Sequence, residues 1–178
     1  MNAVLIADET INSILESNKG AILCKLDIEK AYDHVDWSFL LAVLEKMGFG
    51  EKWSRWIKWC LSTTRFFVLV NGTPIGFFQS SRGLRQEDPL SPYLFVIVME
   101  VFSCLLKRAV SRGFLSPCSV QGRRREMVQV SHLLFAYDTL IFYEAKEEQL
   151  TCLCWPLMWF KAISGLRVNL EKKKKKVS

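Results

Sequence analysis

Apolar residues recur at steps of three and four along much of the chain, which is the spacing of a helix with one buried face. The pattern predicts four helices, over residues 3–17, 36–47, 51–62 and 92–110. Asp36 is placed to cap the second helix, and Gly48 to end it in a left-handed conformation. The second and third helices should bury Leu40, Val43, Leu44, Met47, Trp53 and Trp56. The fourth helix is apolar on nearly every side, which predicts a place in the middle of the fold.

A fifth helical pattern, from Leu150 to Phe160, is interrupted by Pro156. Proline lacks an amide proton and clashes with the preceding turn, so the pattern predicts a kink or a break at this residue. Gly165 then precedes a short strand, LRVNL.

Short apolar runs between polar or turn residues predict the strands. One run, AILCKLDI, should form a buried strand that ends at Asp27, and MVQVSHLLF should form another. Asn71 and Gly72 separate RFFVLV from TPIGFF, which predicts a hairpin because both residues can take positive φ.

Composition narrows the class of protein. A chain of 178 residues, half of them apolar, can bury the core of one domain, and a net charge of +6 mildly favours a polyanionic partner. Six cysteines stand mostly inside apolar segments, which predicts reduced core thiols and an intracellular setting rather than zinc ligands or disulfides. The most apolar run, YLFVIVMEVFSCLL, contains Glu100 and is too short to cross a bilayer.

Two aspartates stand beside apolar strands. Asp27 follows one strand, and Asp138 separates the apolar residues 133–136 from residues 139–143. Burying an unpaired carboxylate costs several kcal/mol, so each needs a partner, and divalent cations would serve both. The alternative makes Asp138 a turn residue and Asp27 a helix or loop cap. Tyr137-Asp138 is a poor two-residue turn, which favours the cations, and paired carboxylates holding two cations suit nucleotidyl transfer.

Five motifs then follow one another along the chain: KLDIEKAYDHVDW, GFGEKW, FFVLVNGTPIGFFQSSRGLRQEDPLSPYLFVIVMEVFS, HLLFAYDTLIF and SGLRVNLEK. In content, order and spacing they resemble the reverse transcriptase domain of plant non-LTR (LINE-type) retrotransposons. The resemblance implies an RNA-directed DNA polymerase that uses Mg²⁺, an RNA template, a DNA primer and deoxynucleoside triphosphates. It also implies an α+β polymerase palm, in which antiparallel strands carrying Asp27 and Asp138 are backed by helices.

The resemblance further implies a truncated copy. Residues 1–171 would be a partial reverse transcriptase domain comprising the palm and part of the fingers, with no thumb or endonuclease. Residues 172–178 would be a solvated basic C-terminal tail.

The resemblance also assigns roles to residues. Asp27 and Asp138 match metal-binding carboxylates, and Tyr32 matches the aromatic residue that screens the incoming sugar for a missing 2′-hydroxyl. Gly83 and Gln86 match residues that lie along the template and nucleotide, and Lys172 matches a lysine near the departing pyrophosphate. Three arginines could contact phosphates or form a solvated basic face: Arg65, Arg82 and Arg85.

The chain departs from the family's pattern at two positions. The family has FADD where this chain has FAYD, so Tyr137 occupies the place of a metal-binding aspartate. A phenol is neutral at pH 7 and does not replace a carboxylate on Mg²⁺. Glu87 replaces a glycine and adds bulk and negative charge beside the nucleotide. These changes predict severe loss of catalysis, and the alternative function is a non-catalytic protein that binds RNA or RNA/DNA hybrid.

Overall fold

The computed structural model describes residues 3–16, 20–121, 126–135, 138–169 and 175–177. At residues 3, 4, 15, 16, 121, 135, 138, 147, 169 and 175–177 it describes the backbone alone. Within these residues five helices and nine strands form an α+β fold. The helices are α1 (Ala3–Glu16), α2 (Trp37–Lys46), α3 (Glu51–Ser62), α4 (Ser91–Ser111) and α5 (Glu147–Ser164). The strands are β1 (Ala21–Glu29), β2 (Arg65–Val70), β3 (Thr73–Gln79), β4 (Cys118–Gln121), β5 (Met127–Val130), β6 (His132–Phe135), β7 (Asp138–Glu144), β8 (Arg167–Asn169) and β9 (Lys175–Val177).

The main sheet is antiparallel and is built around β1. Its order is β6-β7-β1-β8, and β9 pairs with the first residues of β1 on the side where β8 pairs with the last ones. Strands β2 and β3 form one separate hairpin, and β4 and β5 form another two-stranded sheet. Residues 175–177 belong to the predicted solvated tail, but their backbone pairs with β1 and extends the sheet. A free strand edge offers unpaired backbone groups to any extended segment.

The main sheet has apolar residues on both faces, as β7 illustrates. Ile141 and Tyr143 belong to the larger core with α2, α4 and α5, whereas Phe142 packs on the other face with Ile14 of α1 and Val120 of β4. Successive strand residues point to opposite faces, so each residue of this run fills one of the two layers.

Locally encoded elements agree with the sequence. Asp36 caps α2 by accepting a hydrogen bond from the Phe39 amide at 2.8 Å, and Gly48 follows with φ 84°. Asn71 and Gly72 take φ 48° and 80° in the turn between β2 and β3. The four predicted helices and this hairpin are confirmed.

Several predicted core side chains are exposed. Met47, Trp53 and Trp56 are 48%, 54% and 50% exposed, so their predicted burial is wrong. Helix α3 packs mainly against α2 and buries only Ile57 of its described side chains. Periodicity identified the apolar face of α3 correctly, but one neighbouring helix covers only part of that face.

The predicted break at Pro156 is also wrong, because α5 runs continuously through this residue. Pro156 is buried in line with Leu153, Leu157 and Phe160. Proline inside a helix costs about 3 kcal/mol, whereas burying each large apolar side chain contributes about 1.5–3 kcal/mol. Packing of this face therefore outweighs the lost hydrogen bond.

The predicted strand MVQVSHLLF is two strands, β5 and β6, which separate at Ser131 and join different sheets. The six cysteines are free in the structure, and Cys104 and Cys154 are exposed, so their predicted place in the core is wrong. In the part of the chain that the structure describes, no helix is long and apolar enough to cross a membrane.

Candidate nucleotide and metal site

Asp27 lies at the centre of a row of polar residues that crosses three strands. Its Cα is paired with that of Asp138 on β7 and with that of Asn169 on β8. Directly opposed residues of an antiparallel pair have Cα atoms about 4.5–5.5 Å apart. The structure thus brings together the two aspartate positions that the sequence singled out, although 110 residues of chain separate them.

Neither aspartate is a turn or cap residue. Asp138 pairs with Phe135 of β6 and with Asp27, so it is the first residue of β7. Asp27 is not the last residue of β1, because Ile28 and Glu29 continue the strand by pairing with Val168 and Arg167. Tyr137 and Lys172 lie outside the described residues.

An open cleft of about 470 Å³ lies beside Asp27, and we call it the aspartate cleft. Its lining consists of Asp27, Ile28, Lys30, Ala31, Tyr32, Gln86 and Glu87. Three of the predicted site residues, Asp27, Tyr32 and Gln86, therefore meet in one place. The exposed Asp27 side chain is accessible to a ligand in this cleft.

The loop after β1 positions Tyr32. Lys30 turns the chain with φ 45°, and its carbonyl oxygen accepts a hydrogen bond from the Asp33 amide at 2.9 Å. The Tyr32 ring then packs edge-on against the buried ring of Phe95 on α4, with 5.3 Å between ring centroids. Tyr32 thus lines the cleft while its ring is anchored on the core.

The segment carrying Gln86 is attached to the same loop by three hydrogen bonds. The Gly83 amide donates to the Val35 carbonyl oxygen at 2.8 Å, and the Leu84 amide donates to that of Tyr32 at 2.7 Å. The Trp37 indole Nε1 donates to the Gly83 carbonyl oxygen at 2.7 Å. Sequence reasoning did not identify this role of Trp37, because a hydrogen bond between residues 46 positions apart leaves no trace in local periodicity.

Glu87 has φ 66°, in the left-handed region that favours glycine. Its backbone conformation therefore accounts for a glycine at this position in the family's motif. The residue also lines the aspartate cleft, so the substitution places a second carboxylate in the cavity that contains Asp27.

A second cavity of about 450 Å³ lies beside the segment 82–86. Arg82, Gly83, Arg85 and Gln86 line it, together with Phe66 and Phe78 of the β2–β3 hairpin. Arg82 and Arg85 are exposed, and Arg65 begins β2 without lining this cavity. Gln86 is thus shared by the two cavities.

The aspartate cleft has oxygen ligands of the kind that Mg²⁺ prefers. Mg²⁺ in nucleotide-transferring enzymes is held by one or two carboxylates together with the phosphates of the substrate. Asp27 provides an exposed carboxylate, and Asp138 is directly opposite it in the sheet. These two residues fit such a site, although the side chains that the structure describes include no cluster of three or more metal-binding groups.

Comparison with known proteins agrees with this geometry. Residues 3–177 match the model of the reverse transcriptase (RNA-dependent DNA polymerase) family. The chain is 42% identical over 96 residues to the uncharacterized mitochondrial protein AtMg01250 of Arabidopsis thaliana. The aligned residues cover 53% of this chain and 74% of that protein.

Two transposon proteins are similar over shorter shares of their length. The chain is 34% identical over 110 residues to a retrovirus-related Pol polyprotein from type-1 retrotransposable element R2 of Popillia japonica, covering 61% of this chain and 16% of that one. It is 33% identical over 86 residues to the Transposon TX1 uncharacterized 149 kDa protein of Xenopus laevis, and the aligned residues cover 48% of this chain and 7% of that protein. The chain thus spans less than a fifth of either transposon protein. It belongs to the reverse transcriptase (RNA-dependent DNA polymerase) family, and its relatives include proteins of non-LTR retrotransposons.

Proposed function

We propose that this chain is the palm, with part of the fingers, of a non-LTR retrotransposon reverse transcriptase that has lost primer extension. The observation that carries the proposal is that Asp27, Tyr32 and Gln86 line one cleft while Asp27 is paired with Asp138. The family generally depends on Mg²⁺ and acts on a template, a primer and nucleotides. Residues 1–171 would form this domain, and residues 172–178 would follow it as a basic segment.

Each cleft residue has a role in the proposal. Asp27 and Asp138 would hold Mg²⁺, which neutralises the charge that develops on the transferring phosphate. The Tyr32 ring, supported by Phe95, would contact the incoming sugar and exclude a 2′-hydroxyl. Gln86, on the segment hydrogen-bonded to residues 32–37, would contact the nucleotide and template.

Residues outside the cleft complete the proposal. Gly83 would lie along the template, where Arg82 and Arg85 would contact phosphates. Lys172 would lie near the departing pyrophosphate.

The loss of extension follows from Tyr137, which takes the place of a carboxylate. Asp138 cannot replace the missing ligand, because moving it by one position would slip β7 against β1 and reverse the face of every side chain in β7. That slip would exchange Ile141 and Tyr143 with Phe142 between the two core layers. Glu87 adds a negative charge beside the position of the nucleotide phosphates, which further disfavours binding.

Primer extension tests the proposal. Residues 1–178 would replace the corresponding segment of an intact polymerase of the family. We expect extension on an RNA template with Mg²⁺ to be at background with Tyr137 and to be restored by Tyr137→Asp. Extension by the Tyr137 form would overturn the proposed loss.

A second candidate function is binding of RNA or RNA/DNA hybrid without catalysis. The observation that favours it is the exposed pair Arg82 and Arg85 beside the second cavity, in a chain with net charge +6. Each phosphate contact contributes about 0.9 to the slope of log affinity against log salt for a duplex. We expect Arg82→Ala combined with Arg85→Ala to reduce this slope by about 2 for a fluorescent RNA/DNA hybrid.

The control is Arg55→Ala, which removes an equally basic, exposed side chain from α3. An affinity that does not change with salt, or an equal effect of the control, would contradict this second function.

A further inference from the structure

A groove of about 600 Å³ lies between the C-terminal half of α4 and the middle of α5. We call it the α4–α5 groove, and its lining consists of Leu105, Arg108, Ala109, Arg112, Phe114, Cys152, Trp155, Pro156 and Trp159. Ala109 and Pro156 are buried, and Leu105 and Cys152 are half-buried. The groove therefore has an apolar floor that is open to solvent.

Two arginines border the groove on the α4 side. Arg108 lies in the last turn of α4 and Arg112 caps this helix, so they are four residues, or about 6 Å of rise, apart. Both are exposed, and neither has a salt-bridge partner among the described residues. Cations at a helix C-terminus interact favourably with the helix dipole. This effect does not explain the apolar floor beside the two arginines.

Two tryptophans border the groove on the α5 side. Trp155 and Trp159 are also four residues apart, and they are 61% and 62% exposed. Tryptophan and arginine are the residues that most often dominate the energy of protein interfaces. Exposed large side chains beside an apolar groove are typical of an interaction surface.

The groove is separate from the proposed nucleotide site. The N-terminal residues Ser91 and Leu94 of α4 line the second cavity, whereas Arg108 borders the groove near the other end. Arg108 is 17 positions after Ser91, which corresponds to about 25 Å of helix. The groove also shares no lining residue with the aspartate cleft, so the inference about the groove does not rest on the proposed function.

We propose that the α4–α5 groove binds an acidic amphipathic helix of a partner protein. Apolar side chains of that helix would occupy the floor between α4 and α5, in the manner of helix-in-groove recognition. Two carboxylates four residues apart on the helix would match the spacing of Arg108 and Arg112. The two tryptophans would cover the apolar face of the helix from the other side.

Single-stranded nucleic acid is the other polyanion that arginine and tryptophan bind. The groove fits it less well, because the polar edges of bases would lose hydrogen bonds to water on an apolar floor. Charged groups border one side only, whereas a strand's phosphates need cations along their path. The floor and the single row of cations therefore favour a helix with one acidic edge.

The test uses the full chain and two labelled 18-residue helical peptides that differ only in charge. One carries leucines on one face and glutamates four residues apart beside them, and the other carries lysines in place of the glutamates. Fluorescence anisotropy measures the affinity of each. We expect saturable binding of the glutamate peptide, which Arg108→Glu with Arg112→Glu weakens at least tenfold, and these substitutions should strengthen binding of the lysine peptide.

Trp159→Ala should also weaken binding of the glutamate peptide about tenfold. Its matched control is Trp59→Ala, because Trp59 on α3 is likewise 62% exposed and lies outside the groove. Circular dichroism checks that each variant is folded. If Trp159→Ala is not folded, Trp159→Phe is used in its place.

Three outcomes would overturn the proposal. The first is that the glutamate peptide shows no saturable binding up to a chain concentration of about 1 mM. The second is that the arginine substitutions leave its affinity unchanged, and the third is that Trp59→Ala weakens binding as much as Trp159→Ala. Binding of single-stranded RNA that the same arginine substitutions abolish, without peptide binding, would assign the groove to nucleic acid instead.

Discussion

Gly83 lies against the backbone of Asp33 so closely that a Cβ atom added to Gly83 would be 2.8 Å from the Asp33 carbonyl oxygen. The contact accompanies the three hydrogen bonds that join residues 83–84 to residues 32–37. Tyr32 and Gln86, which line the aspartate cleft, lie on the two segments that this contact joins. A glycine is needed here for close backbone approach as well as for its φ of 87°.

We predict that Gly83→Ala destabilises the protein more than Gly48→Ala. Gly48 has φ 84°, and nothing lies within 4 Å of a Cβ added there, so it reports the backbone cost alone. That cost is about 1–2 kcal/mol, and we expect Gly83→Ala to exceed it by at least about 1 kcal/mol through the clash with Asp33. Urea unfolding of both variants provides the comparison. Equal losses of stability would mean that residues 83 and 33 do not make this contact.

We predict that Glu87→Gly increases stability. The left-handed conformation costs a residue with a side chain about 1–2 kcal/mol, and glycine loses about 0.5–1 kcal/mol of backbone entropy on folding. We therefore expect a net gain of about 0.5 kcal/mol in the free energy of unfolding. Glu87→Ala is the control, since alanine keeps the φ penalty and should give no gain. A gain with alanine would instead indicate that the Glu87 charge is the unfavourable feature.

We predict a pH-dependent contribution from Asp36. The Ser38 hydroxyl, and then the Phe39 amide, donate hydrogen bonds to the Asp36 carboxylate and lower its pKa below 3.8. A pKa lowered by folding stabilises the protein above the unfolded value, and this stability is lost as the pH falls through the folded value. Asp36→Ala should therefore cost about 1 kcal/mol at pH 7, and the difference from the original protein should shrink at acid pH.

Ser38→Ala tests the cause assigned to this shift. It removes the largest contribution and keeps the Phe39 hydrogen bond, so it should raise the Asp36 pKa toward the ordinary value. Unfolding measured from pH 2 to pH 7 in the three proteins gives the comparison. A difference in stability between the original protein and the Asp36→Ala variant that stays constant over this range would contradict the assignment.

Local features of the sequence predicted most of the secondary structure. The Asp36 cap and the Asn71-Gly72 turn depend on a few neighbouring residues, so the local sequence was enough to predict both. The exposure of Trp53 could not, because periodicity identifies an apolar face but not whether another element covers it. The continuity of α5 through Pro156 depends on core packing, which local propensity does not contain.

The candidate site was accessible from the sequence only in part. The order of the motifs associated Asp27 with Asp138, and the sheet register places them opposite each other. The hydrogen bond from Trp37 to Gly83 depends on how two distant loops pack, so no short stretch of sequence indicates it. The roles of Tyr32, Gln86 and Lys172 stay predictions.

The most direct test of the central claim is RNA-templated primer extension with Mg²⁺ by an intact polymerase of the family that carries residues 1–178. Three forms would be compared: Tyr137, Tyr137→Asp, and Tyr137→Asp with Glu87→Gly. A control adds Asp27→Asn to the double reversion and should abolish extension. Because a metal ligand contributes several kcal/mol to the transition state, we expect Tyr137→Asp to raise the rate at least about a hundredfold and Glu87→Gly to raise it further. Extension by the Tyr137 form at the rate of the reverted forms would contradict the claim that this tyrosine removes catalysis.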